Sequence, residues 1–295
     1  MSIKEGLHKK AEIIEAQLNT YFEIHDNSYQ EKLHESMLYS LLSGGKRIRP
    51  ILLIEVGELF GVKKEELIDF ACALEMIHTY SLIHDDLPAM DDDNLRRGKK
   101  TNHIVYGEAM AILAGDGLLN FAYELMTEVS LKNDSYNYLK AMKEISKAAG
   151  HRGMVGGQVA DCLSEGKAGT RETLEYIQMN KTSALLTCAL TAGGCIAGVS
   201  EMTLNDLREL GTAVGFAFQI RDDILDIESN ENVLGKPIGS DEKNHKLTYP
   251  SLFGLEASKL KVRELTDEAN RILKSFNGDT AFLESLVNYL CNREY

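Results

Sequence analysis

Apolar residues recur every three or four positions along almost the whole chain. Leu67, Phe70, Leu74 and Ile77 show this spacing, which places one apolar stripe along a helix. Alternation of apolar and polar residues over the length of a strand is hard to find. The chain has 295 residues, 44% of them hydrophobic, and can therefore bury a large core. The sequence predicts an all-α fold, a bundle of about ten to thirteen helices joined by short loops.

Glycine pairs and prolines divide these helical runs, and we predict a loop at each of them. They are Gly44-Gly45, Pro50, Pro88, Gly156-Gly157, Gly193-Gly194, Gly235 to Gly239, and Pro250. Only 4 prolines occur and no Ser/Gly-rich linker is visible, which favours one domain spanning residues 1–295. The most polar loop runs from Ser229 to Lys246, and it is either an active-site lid or a solvated connection.

The net charge is −13, which disfavours nucleic acid and anionic lipid as partners unless a local basic patch reverses it. No run of eighteen apolar residues occurs, so we expect no stable insertion into a membrane. The charged first 26 residues do not resemble a signal peptide. The chain has 5 cysteines and no CxxC motif, which indicates buried, reduced thiols. We therefore expect a cytoplasmic protein.

Two clusters of aspartates each follow an apolar helical run. In the first, Asp85 and Asp86 end a helix, and Pro88 disfavours a helical conformation at the residue before it. We expect the chain to bulge there and to bring Asp91 back beside Asp85. Two carboxylates about 4 Å apart repel by roughly 4 kcal/mol at an effective dielectric near 20, so the cluster calls for cations. Hard oxygen ligands of this kind suit Mg²⁺ that carries a phosphate substrate.

The second cluster contains Asp222, Asp223 and Asp226. Asp222 and Asp226 are four residues apart and share a helix face, whereas Asp223 points about 100° away. The cluster either lines a cavity or is a solvated helix end. If the two clusters face each other across a bundle, they form a two-sided metal site; the likeness between them could also be chance.

Basic residues accompany the acidic clusters. Arg96 and Arg97 follow the first one directly, and each could hold a different phosphate group or pair with a nearby acid. The segment from Ser43 to Pro50 could bind an anion through Lys46 and Arg49, or it could be a helix cap followed by a basic start. A buried lysine such as Lys181 needs a counter-charge, either from a phosphate or from a structural ion pair.

Two further polar residues lie on the helices that carry the aspartates. His78 is about two turns before Asp85 and close to the same face. A lone histidine in an apolar helix is more often a core residue than a ligand. Gln219 lies three residues before Asp222 on nearly the same face, which makes it a candidate cavity residue.

The motifs occur in a fixed order along the chain: GGKRIRP, EMIHTYSLIHDDLPAMDDDNLRRG, a Lys-Thr pair, GFAFQIRDDILD and GKPIGSD. This combination resembles the trans-prenyl diphosphate synthases, and among them the bacterial farnesyl diphosphate type. The resemblance implies an all-α bundle around a deep central cavity, usually a homodimer. It also implies an Mg²⁺-dependent head-to-tail condensation of isopentenyl diphosphate with dimethylallyl and geranyl diphosphate, which gives farnesyl diphosphate.

The same resemblance implies a role for each matching residue. Three Mg²⁺ ions would bridge the allylic diphosphate, held by Asp85, Asp91 and Asp222 and supported by Asp86 and Asp226. Arg96, Lys181 and Lys236 would bind that diphosphate, and Lys46, Arg49, His78 and Arg97 would bind the diphosphate of isopentenyl diphosphate. Thr182 and Gln219 would line the reacting carbons. The residues that the resemblance implies to be catalytic are Asp85, Asp91, Arg96, Lys181, Asp222 and Lys236.

Product length in this family depends on the bulk of the residues just before the first aspartates. Tyr80 and Ser81 occupy these positions, and an aromatic at Tyr80 resembles the type that stops at fifteen carbons. A geranyl or geranylgeranyl diphosphate synthase differs only in pocket depth and remains the main alternative. A terpene cyclase is a weaker one, because it would not need the second set of basic residues. A catalytically silent partner subunit is weaker too, because both aspartate clusters are intact.

Overall fold

The computed structural model describes residues 2–23, 28–167, 169–228 and 247–292. In these ranges the chain forms twelve α-helices of seven residues or more, two helices of five residues, one π-helical segment and one hairpin. The α-helices are α1 (Ile3–Thr20), α2 (Tyr29–Leu41), α3 (Ile48–Leu59), α4 (Lys64–Asp85), α5 (Asn102–Tyr106), α6 (Glu108–Asn133), α7 (Tyr136–Ala149), α8 (Met154–Ser164), α9 (Arg171–Ile177), α10 (Ala184–Ile196), α11 (Glu201–Glu228), α12 (Tyr249–Phe253), α13 (Leu255–Leu273) and α14 (Ala281–Asn292). The prediction of an all-α fold is confirmed.

The centre of the bundle is built from helices that are apolar on most faces. Helix α10 is the clearest case, because Leu185, Leu190 and Ile196 are buried together with most of the residues between them. A helix that is hydrophobic all round belongs in a protein interior. It packs against α3, α7 and α11, while α4 packs against α3 and α6. The buried side chains form one hydrophobic cluster, and the two helices that carry the aspartates, α4 and α11, both contribute to it.

The prediction of loops at the glycine pairs is wrong in two places. Gly156-Gly157 lies within α8 and Gly193-Gly194 lies within α10. These glycines serve close packing of helices, because a Cβ atom at Gly157 would overlap the backbone of Lys181. Gly44-Gly45 and Pro88 do lie outside helices. Residues 229–246, which include Gly235 to Gly239 and the predicted polar loop, lie outside the described ranges.

The two prolines at which we also expected loops lie in the first turns of helices. Pro50 is the third residue of α3 and Pro250 is the second residue of α12. The first turn of a helix tolerates proline, because the backbone N–H that proline lacks has no intrahelical acceptor there. The predicted loops at these positions are therefore replaced by helix starts.

A short antiparallel hairpin, β1 (Leu95–Arg96) and β2 (Lys99–Lys100), follows the first acidic cluster and was not predicted. Its turn residues Arg97 and Gly98 both have positive φ, 52° and 75°. This is the pattern of the type I′ turn that connects tight hairpins. The turn directs the two neighbouring arginines to different surroundings.

All five cysteines are free thiols, as predicted. Four are buried, but Cys162 is exposed on α8, so the expectation of burial is wrong for that residue. Within the part of the chain that the structure describes, no helix combines the length and the apolar character needed to cross a bilayer.

Candidate active site

The first acidic cluster lies where α4 ends at Asp85. The backbone N–H of Asp91 donates to the carbonyl oxygen of Asp85 at 2.9 Å, so the chain does fold back as predicted. Asp92 adopts a left-handed conformation, with φ 51°, inside this turn. Burial, together with the neighbouring carboxylate of Asp91, raises the pKa of the Asp85 carboxyl to about 6. The cluster is therefore a place where added positive charge is favourable.

Asp86, the next residue, forms an ion pair with Arg96. The guanidinium of Arg96 donates to both carboxylate oxygens of Asp86, with Nε–Oδ1 and Nε–Oδ2 distances of 2.7 and 3.0 Å. Asp86 is buried, and its burial raises the pKa of its carboxyl although Arg96 opposes the shift. Of the two roles that the sequence left open for Arg96, a phosphate ligand or a partner for a nearby acid, this ion pair corresponds to the second. The physical reason is that a carboxylate buried at a helix end needs its own counter-charge.

The second acidic cluster lies inside the long helix α11. Asp222 and Asp226 line the same cavity as Asp85 and Asp91, which agrees with their shared helix face. Asp223 is buried and accepts hydrogen bonds from three N–H groups. The donors are Nε2 of Gln178 at 3.3 Å, Nε2 of Gln219 at 2.9 Å and the backbone N–H of Tyr249 at 3.0 Å.

The cavity between the two clusters has a volume of about 630 Å³. Its charged and polar lining includes most of the residues that the sequence singled out. From the predicted set these are Lys46, Arg49, His78, Asp85, Asp91, Arg96, Arg97, Lys181, Thr182, Gln219, Asp222 and Asp226. Its apolar lining includes Leu82, Leu174, Ile177, Leu186 and Phe218. The structure therefore gathers on one cavity residues that are up to 180 positions apart in the chain.

The loop before α3 and the turn of the hairpin meet at one edge of this cavity. A guanidinium N–H of Arg97 donates to the carbonyl oxygen of Gly44. A Cβ atom at Gly45 would overlap the same guanidinium group, and Gly45 has φ 128°, a backbone conformation that favours glycine. The ammonium group of Lys46 lies 5.1 Å from the ring centre of Tyr289 in α14. The glycine pair is thus needed for the close approach of two cationic segments.

Arg47 holds this loop from within the core, a role that the sequence analysis missed. Its side chain is fully buried, and it donates to Glu75 at 2.8 Å and to Glu15 at 2.9 Å. Arg47 also has a left-handed backbone, with φ 49°. Glu75 lines the cavity and acts electrostatically on Arg49 and Arg97 as well. No local signal separates Arg47 from its neighbours Lys46 and Arg49, because its partners come from α1 and α4.

Arg49 and His78 are hydrogen-bonded inside the cavity, with 3.2 Å between the guanidinium and Nε2 of the ring. Arginine can only donate, so the ring nitrogen Nε2 accepts. Burial and the positive charge of Arg49 hold the pKa of His78 well below its ordinary value. His78 is therefore a neutral acceptor that orients Arg49. The Nε atom of Arg49 is buried without a hydrogen-bond partner among the described residues.

Lys181 and Thr182 lie on the π-helical segment Gln178–Ser183. The ammonium group of Lys181 pairs with Asp161 of α8 at 2.6 Å. Burial alone would lower the pKa of Lys181, but the carboxylates of Asp161 and Asp85 raise it above its ordinary value. Asp161 lines the cavity and was missed by the sequence analysis, although a carboxylate in the apolar run of α8 was a usable signal. The Thr182 hydroxyl donates to Oε1 of Gln219 at 2.8 Å.

The predicted chain-length residues lie beside the cavity, and they are not among the described residues that line it. Tyr80 is 7% exposed, and its ring meets the edge of the His84 ring at 5.7 Å between centres. Burial raises the pKa of its hydroxyl to about 12. The Ser81 hydroxyl donates to the carbonyl oxygen of His78. Lys236, the remaining predicted site residue, lies outside the described ranges.

The donor set of the cavity suits a hard divalent cation. Carboxylates from both clusters line it, and burial raises the pKa of Asp85, so its charged form lacks part of the stabilisation that water would give it. Mg²⁺ is commonly held by one or two carboxylates together with substrate phosphates. Among the described residues, no group of three or more His, Cys, Asp or Glu side chains is arranged to hold a metal ion.

Comparison with known proteins identifies the family. The model of the polyprenyl synthetase family matches residues 30–289. A farnesyl diphosphate synthase of Geobacillus stearothermophilus is 45% identical over 296 residues, which cover 100% of this chain and 99% of the relative. A geranylgeranyl diphosphate synthase of Cyanophora paradoxa is 44% identical over 288 residues, 97% of this chain and 95% of the relative.

A solved structure agrees with these relatives. The geranyltransferase of Helicobacter pylori, complexed with magnesium and isoprenyl diphosphate, has a TM-score of 0.84 and 31% identity, and the match covers 99% of this chain and 97% of that one. The resemblance inferred from the order of the motifs is therefore confirmed, and the chain is a member of the polyprenyl synthetase family.

Proposed function

We propose that the protein condenses isopentenyl diphosphate with dimethylallyl and then geranyl diphosphate, and that its product is farnesyl diphosphate. The observation that carries this proposal is that carboxylates and positively charged side chains line the same cavity. Asp85, Asp91 and Asp222 supply carboxylates, and the half-buried Arg49 and the exposed Arg97 supply positive charge. A single anionic substrate would need only one of these sets, whereas two diphosphates need both.

The basic set binds the diphosphate of isopentenyl diphosphate in this proposal. Burial lowers the pKa of Arg49, because its positive charge is poorly solvated there. A diphosphate that accepts hydrogen bonds from Arg49 and Arg97 would restore that solvation. Lys46 lies at the same edge of the cavity. Neutral His78 keeps the guanidinium of Arg49 oriented without competing for the anion.

The acidic set holds the allylic diphosphate through Mg²⁺, and we propose three ions with substrate bound. Asp85, Asp91, Asp222 and Asp226 are the residues that would hold them. When bound, Mg²⁺ would stabilise the negative charge that develops on the leaving diphosphate. Lys181, whose positive charge is secured by Asp161 and Asp85, lies at this wall and would contact the same group.

The proposed reaction takes place between the two substrates bound in this cavity. The allylic C–O bond breaks, and its electron pair leaves with the diphosphate. The double bond of isopentenyl diphosphate attacks the allylic cation, and a proton is lost to the departing diphosphate. Apolar residues such as Leu186 and Phe218 keep water from the cation. Lys181 stays protonated and His78 is an oriented neutral acceptor, so neither is assigned as the base that takes this proton.

The test is to incubate the purified protein with Mg²⁺, isopentenyl diphosphate and either dimethylallyl or geranyl diphosphate, and to size the dephosphorylated products. A dominant fifteen-carbon alcohol is expected. A ten- or twenty-carbon alcohol would retain the mechanism and reject the proposed product. A cyclic hydrocarbon, or no product, would reject the proposed function.

Tyr80 is proposed as the residue that stops elongation at fifteen carbons. It is buried on α4, about one and a half turns before Asp85. Tyr80→Ala should therefore shift the product toward twenty carbons. Tyr138→Ala is a matched control, since Tyr138 is also buried but lies on α7, which contributes no residue to the cavity lining, whereas α4 contributes His78, Leu82 and Asp85. An unchanged fifteen-carbon product from Tyr80→Ala would reject this role.

We also propose a cytoplasmic homodimer that forms through α5 and the start of α6. Four large apolar side chains that are close together in the chain are exposed there: Ile104, Val105, Ile112 and Leu113. Because α5 packs against α6, these side chains belong to neighbouring helices, and exposed apolar surface of this kind marks an interface. Leu113→Glu should convert the dimer to a monomer in light scattering, whereas Leu131→Glu, at an exposed position near the other end of α6, should not. A monomeric wild-type protein would reject the proposal.

A further inference from the structure

Asp223 differs from the other aspartates of its cluster in what surrounds it. It is 5% exposed, and three N–H groups from three separate segments donate to it. The segments are the π-helical segment, α11 itself and the first residue of α12. A carboxylate in this setting is an acceptor only, so each group that faces it must present a donor.

The first consequence concerns the amide of Gln219. Its Nε2 donates to Oδ1 of Asp223 at 2.9 Å, and its Oε1 accepts from the Thr182 hydroxyl at 2.8 Å. The two ends of an amide are not equivalent, and only the nitrogen can face the carboxylate. Asp223 therefore determines that the Gln219 oxygen faces Thr182, and that Thr182 uses its proton within this chain of hydrogen bonds.

The second consequence concerns Gln178. Its Nε2 donates to Oδ2 of Asp223, which leaves Oε1 as its other end. Gln178 is 2% exposed, and its Oε1 has no hydrogen-bond partner among the described residues. Gln178, Thr182 and Gln219 all line the cavity. One buried carboxylate thus sets the polarity of three neutral side chains on the same wall.

We propose that Asp223 is a positioning residue, which fixes the direction of the hydrogen bonds from Gln178 and from Thr182 through Gln219. With this polarity Thr182, which lines the cavity, uses its proton on Gln219, so its hydroxyl oxygen could only accept from or stabilise positive charge on a bound substrate such as the allylic cation. The catalytic part of this inference rests on the proposed function. The direction of the hydrogen bonds does not, because it follows from the contacts alone.

The substitution Asp223→Asn would reverse this polarity. The backbone N–H of Tyr249 donates to Oδ2 and cannot turn, so the new amide would keep its oxygen there and turn its nitrogen to Gln219. The Gln219 amide would then have to reverse, and Thr182 would become an acceptor. Adding Gln219→Glu would restore the original direction, because a carboxylate at position 219 could accept both from the new amide and from Thr182.

A double-mutant cycle tests this inference with Asp223→Asn, Gln219→Glu and the double variant. Asp223→Asn should lower kcat about 10- to 100-fold, as is typical for groups that orient active-site ligands. Its KM values and its half-maximal Mg²⁺ concentration should change less than about threefold. Gln219→Glu should also be impaired, because it places two carboxylates together. The double variant should recover at least about fivefold in kcat over Asp223→Asn.

Thermal unfolding of the same four proteins provides a readout that does not need activity. Asp223→Asn should lower Tm by about 5 °C, and the double variant should regain most of that shift. Asp69→Asn is the control, since Asp69 also accepts a side-chain hydrogen bond but is not among the residues that line the cavity. It should leave kcat unchanged.

Two results would overturn the inference. One is additive behaviour of the two substitutions in both kcat and Tm. The other is an increased Mg²⁺ requirement in Asp223→Asn that the double variant does not reverse. If Asp223→Asn does not fold, a folded double variant supports the inference and an unfolded one rejects it. If the wild-type protein makes no prenyl product, the proposed function fails, while the cycle of Tm values still tests whether Asp223 fixes the direction of the hydrogen bonds.

Discussion

The two acidic clusters begin with the same Asp-Asp pair, but the structure places them in different settings. The first pair ends α4 and is completed by a turn that returns Asp91 to Asp85. The second pair lies within α11, which continues to Glu228. In both pairs the first aspartate lines the cavity, and the second is buried and held by its neighbours; Asp223 also lines the cavity, whereas Asp86 does not. Arg96 holds Asp86, and three N–H groups hold Asp223.

The two pairs differ in how the negative charge of the second carboxylate is compensated. Asp86 follows the C-terminal end of a helix, where the macrodipole disfavours negative charge, and a full positive charge meets it. Asp223 lies inside a helix and receives hydrogen bonds from amide groups. The comparison indicates that the first residue of each Asp-Asp pair is the one that would face substrate and metal, while its neighbour is held in the wall. Four predictions test this division.

The largest expected effect is a difference in kcat between variants of the first and of the second aspartate in an Asp-Asp pair. Asp85→Asn and Asp222→Asn should each lower kcat by about 10²–10³, because each removes a carboxylate that would hold Mg²⁺ at the leaving group. Asp86→Asn should lower it by only about tenfold, through Arg96. Steady-state rates at saturating substrate over a range of Mg²⁺ concentrations measure this. Equal losses in Asp85→Asn and Asp86→Asn would break the division.

The next effect compares the two kinds of compensation. Arg96→Met leaves the buried carboxylate of Asp86 without its cation and should lower the free energy of unfolding by about 3 kcal/mol. Gln178→Met removes only one of three donors to Asp223 and should lower it by about 1 kcal/mol. Urea denaturation measures both. Arg96→Met combined with Asp86→Asn should recover most of the loss, and no recovery would contradict the ion-pair explanation.

The pH dependence of stability should reveal the charge of the first cluster in metal-free protein. The folded pKa of Asp85 is about 6, above the value near 3.9 expected for an unfolded aspartate. The folded state therefore binds the proton more tightly, and this stabilisation is complete below about pH 4 and lost as the pH rises through about 6. With EDTA present, the wild type should lose about 2 kcal/mol relative to Asp85→Asn between pH 4 and pH 7.

Urea denaturation of both proteins across this range measures the effect. Mg²⁺ with a diphosphate should restore the stability of the wild type at pH 7, since a bound cation favours the charged carboxylate. A difference between the two proteins that does not vary with pH would show that Asp85 is not the group that titrates.

The smallest effect concerns the glycines behind each cluster. A Cβ atom at Gly215 of α11 would overlap the side chain and Cα of Ser183, whereas one at Gly115 of α6 would meet only the ring of His84. Gly215→Ala should therefore destabilise by about 1–2 kcal/mol, and Gly115→Ala by less, because a ring can rotate away. Thermal unfolding measures both. A larger loss from Gly115→Ala would show that the first cluster is the more rigid one.

Much of this molecule was predictable because its signals are local. Helical periodicity gave the all-α class, and Pro88 gave the fold-back of Asp91 onto Asp85. Helix geometry also placed Asp222 and Asp226 on one face, away from Asp223. The glycine pairs in α8 and α10 misled the prediction, because a glycine that ends a helix and one that admits a neighbouring helix look alike in a sequence.

The sequence by itself determined the helical class, the family and most of the polar residues that gather at the cavity, since these depend on residue type and spacing along one helix. Only the tertiary structure decided the partner of each charge: Arg96 for Asp86, Asp161 for Lys181, and Glu75 for Arg47. These pairs join segments that are 10 to 28 residues apart in the chain. Which of two neighbouring carboxylates faces substrate depends on the elements packed around the helix, and nothing in the local spacing encodes that.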